Sequence, residues 1–262
     1  MFFKNYKNVS VNSNTVRVNG KTIHLPSNYS SLSVIGDVVY VDGVRYDGDS
    51  IEEVKSREKD MKKIEFNETI ISVSADVANI NVEITKDNQS SISYDGNEYE
   101  VNVSSGCIDI KSKSDYINSD ITINLSKKHL SSTLNLNIED GGNINFESQE
   151  ELNSSLSLTT ENGNIKAESN TTGDVTLHCE NGNIKPYINC READIQTTNG
   201  NIKGVIRVKE DSSVKTVNGN VKLNTLSKIT HKVKNGSTKI KNNAIDTSTI
   251  DISVFNGNIK IY

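Results

Sequence analysis

The sequence predicts an all-β protein: a single-stranded right-handed β-solenoid, similar to a parallel β-helix, with a small N-terminal β module. Three observations lead there. A five-residue phrase recurs seven times at a period near twenty, which marks stacked similar units. Alternating apolar residues flank the copies. Asn, Ser, Thr, Ile and Val are abundant, with only 2 prolines and no tryptophan, a composition that suits strands and polar corners.

Residues 1–48 read as the N-terminal module. Val16–Leu25 and Leu32–Tyr46 are two strand-turn units, with hairpin chemistry at Asn19-Gly20 and Asp42-Gly43. Residues 49–67 are dense in both charges. Ile51, Val54, Met61 and Ile64 give them a thin apolar stripe, so a charged linker or a short helix is expected. The solenoid is expected over 68–262. Ile70–Thr85 and Tyr99–Lys111 alternate as less regular coils or paired strands before the clear repeats begin.

The phrase reads GGNIN at Gly141–Asn145, then NGNIK at Asn162–Lys166, Asn181–Lys185 and Asn199–Lys203. NGNVK follows at Asn218–Lys222, NGSTK at Asn235–Lys239 and NGNIK at Asn256–Lys260. The central glycines, Gly142 to Gly257, step by 21, 19, 18, 19, 17 and 21 residues. Counting each glycine as zero, apolar residues fall at −7, −5 and −3, as in Val175, Leu177 and Cys179. After it they fall at +2 and +4, as in Val221 and Leu223. An odd number of steps separates −3 from +2, so a straight strand would put one set in water. The Asn-Gly-Asn element must therefore turn a corner or bulge. A hairpin is the rival reading of Asn-Gly. One identically oriented corner per unit favours stacked coils, with the flanking asparagines aligned in hydrogen-bonded ladders.

At +3 stand Lys166, Lys185, Lys203, Lys222, Lys239 and Lys260. Stacking would place them in one outward column about 5 Å apart. They read as a solubilising face with Glu161, Glu180 and Asp194 as partial counter-charges, or as a basic rail for a polyanion: nucleic acid, an anionic glycan or phospholipid headgroups. No aromatic residue is expected to interleave with them, which weakens a nucleic-acid version of the rail. The chain carries 15 Lys/Arg and 23 Asp/Glu in residues 1–150, against 14 and 11 in residues 151–262, a net of −8 against +3. Neither half is charged enough to declare a nucleic-acid binder.

The segment Ile121–Asn145 runs from a β pair through a lysine-rich turn and an L-x-L-x-I strand into GGNIN. With the later repeats it resembles bacterial putative-adhesin β-solenoids, the head-GIN-like domains of unknown function among them, over about residues 68–262. The resemblance implies the solenoid fold and adhesion at a surface. It defines no site residues.

No catalytic site, cofactor site or metal site is expected. His24, His129, His178 and His231 share no motif, and no nucleophile elbow or phosphate loop occurs. Asp194 and Asp251, both at −6, read as surface residues rather than a catalytic pair. Cys107, Cys179 and Cys190 read as small buried thiols in a reducing compartment. No signal peptide or membrane span is visible, so a cytoplasmic location is expected, with the virion or cell surface as alternatives. The last repeat is at full strength with nothing after it in the sequence, so its coil is expected to present an open edge. Phe255, Ile259, Ile261 and Tyr262 are then the candidate self-association residues of a homo-oligomer. The function expected is a non-enzymatic, self-associating scaffold or binding surface. A polyanion- or glycan-binding module on the lysine face and a phage or virion component are the alternatives.

Overall fold

The computed structural model describes residues 59–113 and 119–262, and the backbone of six short strands between residues 9 and 46. The chain divides into two units, Met1–Lys59 and Asp60–Tyr262.

In the first unit, Val9–Asn12, Thr15–Val18 and Lys21–His24 form one antiparallel sheet. Leu32–Ile35, Val38–Val41 and Val44–Tyr46 form another. Val18 faces Lys21 and Val41 faces Val44, leaving two residues between partners, the spacing that Asn-Gly and Asp-Gly hairpins require. Those four turn residues lie outside the described residues.

The second unit is all-β, with two large, mostly parallel sheets and one short 3-10 turn at Lys127–Ser131. Each repeat contributes the strand before its glycine to a 10-stranded sheet and the strand after it to an 11-stranded sheet. Equivalent strands pair in parallel and in register. Leu158 faces Leu177, Leu177 faces Ile195, and Ile165 faces Ile184, which faces Ile202. A hairpin meander would pair antiparallel, so the repeats are coils. The inward phase changes at the corner as expected: Leu177 and Cys179 before Gly182 are buried, and so are Ile184, Pro186 and Ile188 after it. The aligned isoleucines, leucines and valines form a continuous core between the sheets, each such side chain contributing roughly 1.5–3 kcal/mol of burial.

The corner glycines stack on one another. A Cβ on Gly163, Gly182, Gly200 or Gly219 would collide with the carbonyl oxygen of the neighbouring corner's glycine. Close backbone approach, more than backbone conformation, demands glycine at these four; Gly142 needs both, since its φ is 142°. The asparagines form the two expected ladders. At −1, Asn181 Nδ2 donates to Asn162 Oδ1 (2.9 Å) and Asn199 Nδ2 to Asn181 Oδ1 (2.7 Å). At +1, Asn201 Oδ1 accepts from both the backbone N–H and the Nδ2 of Asn220 (2.9 Å each). A third ladder runs inside the corner, where the Thr197 and Thr216 hydroxyls donate to the carbonyls of Gly182 and Gly200 (3.0 Å each).

Spatial order departs from chain order at both ends. The Gly257 coil lies between the Gly219 and Gly236 coils: Ile252 faces Val214 on one side and His231 on the other, and Ile259 lies between Val221 and Thr238. The expectation of an open edge at the last repeat is therefore corrected, since both of its strands are paired on both sides. The reason lies in the inward residues. The Gly257 coil supplies Ile250, Ile252, Val254, Ile259 and Ile261, all buried. The Gly236 coil offers His231 and Thr238 at matching positions and takes the end, where one side meets water. Its edge carries Lys228, Lys232, Lys234, Lys239 and Lys241, all exposed, and such lysines oppose pairing with a second strand.

At the other end, the Ser72–Ile84 coil lies between the Gly142 coil and the later strands Cys107–Ser112 and Asp120–Leu125. Ala78 takes the glycine position there, an eighth corner that carries no NG signature, and Gly142 packs against its carbonyl. Ser90–Asp95 and Tyr99–Ser104 run antiparallel to their neighbours and close this end. Met61–Phe66 then adds antiparallel to Ser90–Asp95. The charged stretch expected to reach residue 67 thus gives way to a strand at Met61, which buries Phe66.

His129 ties the 3-10 turn to the start of the Ser72–Ile84 coil. Its Nε2 accepts from the Ile70 N–H (2.9 Å), and its Nδ1 donates to the Ser126 carbonyl (3.1 Å). Burial lowers its pKa below the ordinary 6.5, so the folded chain keeps the ring neutral. The unfolded chain takes up a proton first as pH falls. Stability held above pH 6.5 is therefore lost as pH drops from there through the lower native value. Urea midpoints measured from pH 7.5 to 5 are expected to fall more steeply for the wild type than for His129→Gln. Parallel curves would remove this account of the residue.

Candidate binding face

The outer face of the 11-stranded sheet gathers the +3 lysines. Lys166 is in register with Lys185, Lys203 with Lys222, and Lys260 lies between Lys222 and Lys239. The spatial order is thus 166, 185, 203, 222, 260, 239. Only Lys166 has a carboxylate within ion-pair distance among the described residues, Glu168 at 3.9 Å. The expected counter-charges lie elsewhere: Glu161, Glu180 and Asp194 belong to strands of the other sheet. Burial pushes the Asp194 carboxyl up, but hydrogen bonds from the Ser213 hydroxyl (2.5 Å) and Gln196 Nε2 (2.9 Å) bring it below its usual value overall. Its carboxylate is half-buried and held by these hydrogen bonds.

Two residues along each strand, about 7 Å away, runs the +5 column. Glu83, Glu147 and Glu168 are in register, followed by Tyr187, Val205 and Asn224. The Tyr262 N–H donates to the Leu223 carbonyl (3.1 Å), which sets Tyr262 beside Asn224. The column passes from acidic, through apolar and amide, to the basic end at Lys241. Aromatics therefore do flank the lysines, contrary to the sequence reading. The signal was present just outside the phrase, in the matching K-x-Y of Lys185-Pro186-Tyr187 and Lys260-Ile261-Tyr262. Tyr187 is 44% exposed and Tyr262 42%. Lys222 and Lys260 place their ammonium groups 5.2 and 4.9 Å from the Tyr262 ring centre and hold its phenol below the usual range. A groove of about 170 Å³ lies between the two tyrosines, lined by Lys203, Val205, Lys222 and Asn224.

The remaining candidates separate. Ile259 and Ile261 are buried inside the stack, while Phe255 is exposed on the 10-stranded sheet and Tyr262 just past the last strand of the 11-stranded one, so these four residues form no common patch. Lys234 lies over the Phe255 ring at 4.3 Å. Cys179 and Cys190 are buried and free, and Cys107 is half-buried. Burial raises both buried thiols, Cys190 to about 12, which keeps them protonated and unreactive. Among the described residues no three His, Cys, Asp or Glu side chains converge to hold a metal ion. No described helix is long and apolar enough to cross a membrane.

Fold and face together define an all-β repeat protein with a lysine-rich face on its 11-stranded sheet. No protein-family model matches the chain, and no curated protein does. Solved structures similar to it include a putative adhesin from Bacteroides fragilis NCTC 9343, with 14% identity, a TM-score of 0.44, and coverage of 77% of this chain and 97% of that one. A putative lipid binding protein from Parabacteroides distasonis ATCC 8503 gives 13%, 0.42, 77% and 94%. A putative cell adhesion protein from Clostridium sporogenes ATCC 15579 gives 15%, 0.30, 77% and 98%.

Proposed function

We propose that this chain is a non-enzymatic β-solenoid binding module whose lysine face holds anionic polymers. The observation that carries the reading is the run Lys185, Lys203, Lys222, Lys260 and Lys239, in adjacent coils and without carboxylate partners among the described residues. Like charges about 5 Å apart repel one another, and an anionic chain lying along the coil axis relieves that repulsion while releasing its own counterions. Self-association through the last coil is not part of this reading, because that coil is already paired on both sides.

Titration of the full chain with polyphosphate at several salt concentrations tests it. Affinity is expected to fall steeply with salt. The double variant Lys203→Gln/Lys222→Gln should bind about tenfold more weakly, with a salt slope smaller by about 2. Unchanged affinity and slope in that variant would refute the lysine face as the binding surface.

A further inference from the structure

We infer that the groove between Tyr187 and Tyr262 is a subsite for an acidic oligosaccharide. The inference rests on the polyanion reading above and narrows its ligand class.

The two tyrosines stand three coils apart in the +5 column, about 14 Å, with Val205 and Asn224 between them. Tyr187 and Val205 give a small apolar platform beside Lys203, Lys222 and Asn224. Such a platform suits the C–H face of a sugar ring, and the polar groups around it can set orientation. Asn224 is held for that task. Arg207 donates from Nη1 to its main-chain carbonyl (2.8 Å) and from Nη2 to its Oδ1 (3.1 Å). The Nδ2 of Asn224 is left to donate to a hydroxyl. Lys203 and Lys222 line the same groove and can meet carboxylate or sulfate groups carried on the rings.

A single-stranded nucleic acid fits less well. Its bases need open aromatic faces beside a basic track. The Tyr262 ring has two ammonium groups over it, at 5.2 and 4.9 Å, which leaves Tyr187 as the one open ring in the groove. The column beyond Tyr187 continues into Glu168, Glu147 and Glu83, which repel an advancing phosphate chain. The favourable footprint is therefore short, spanning about four coils.

Calorimetric titration of the full chain is the test. The probes are a tetragalacturonate, a sulfated heparin tetrasaccharide, uncharged cellotetraose and an eight-residue oligothymidylate. At least one charged tetrasaccharide is expected to bind more tightly than either cellotetraose or the oligothymidylate. Tyr187→Ala should weaken that binding at least tenfold with the salt slope unchanged, and Tyr187→Phe should restore it. Val205→Asn, a second route to the same platform, should weaken it in the same way. If Tyr187→Ala and Val205→Asn both bind as the wild type does, the subsite is refuted while the lysine face stands. If the oligothymidylate binds more tightly and responds to Tyr187→Ala, the ligand is nucleic acid and the inference falls. If no charged probe binds, the subsite is refuted, and the polyphosphate titration decides separately whether the lysine face stands.

Discussion

Gly200→Ala is expected to destabilise the chain by about 3 kcal/mol, the upper end for overpacking, although it adds one methyl group at a corner. The added Cβ would collide with the carbonyl oxygen of Gly182, and Gly219 is stacked against the carbonyl of Gly200 in turn. Relief would require the backbone to move. Such a movement breaks the parallel register on both sides, because Ile202 is tied to Ile184 and to Val221. The adjacent Asn201→Ala provides the control. It removes three exposed side-chain hydrogen bonds, one donated to Asn183 and two accepted from Asn220, which water can replace, with an expected loss of about 1 kcal/mol. Denaturant midpoints of the two variants decide the matter. A Gly200→Ala effect within about 0.5 kcal/mol of the wild type would show that the corners are not packed as described.

The second large effect separates spatial order from chain order. Ile250 and Ile229 occupy the same −7 position in consecutive repeats and face each other across the sheet. Ile250 is fully buried, because its coil lies inside the stack; Ile229 is half-buried on the end coil. Ile250→Ala is expected to cost about 2–5 kcal/mol and Ile229→Ala about 1 kcal/mol or less. If the coils followed the chain, the ranking would reverse, since the Gly257 coil would then be the exposed one. Thermal or denaturant unfolding of the two single variants is enough, and equal effects would count against the inserted coil.

The corner and its consequences were legible because they are local and repeated. The switch from odd to even inward offsets, the stacked asparagines and the aligned Ile165, Ile184 and Ile202 all follow from one phrase and one period. The Ala78 corner was not legible, because alanine stands where the phrase has glycine; only the stacking of Gly142 on its carbonyl identifies it. The candidate site was half legible. The lysine column could be read from +3, but its neighbours could not. Glu161 and Glu180 lie close to the lysines in sequence, yet the corner sends them to the other sheet. Tyr187 and Tyr262 lie 75 positions apart in the chain, and the insertion of the last coil brings Tyr262 beside Asn224.

The amino-acid sequence by itself determined the coil: which residues face inward, where each coil turns, and which side chains recur on its surface. Those properties depend on alternation and on a corner motif, and every repeat carries its own copy. The tertiary structure decided the order of the coils and the neighbours across them. Seven similar units can stack in register in more than one order, so the local pattern is silent on which lies inside. The choice goes to burial. The apolar Gly257 unit gains more from two covered sides than the Gly236 unit with His231 and Thr238, and the lysine-rich coil is left to face water.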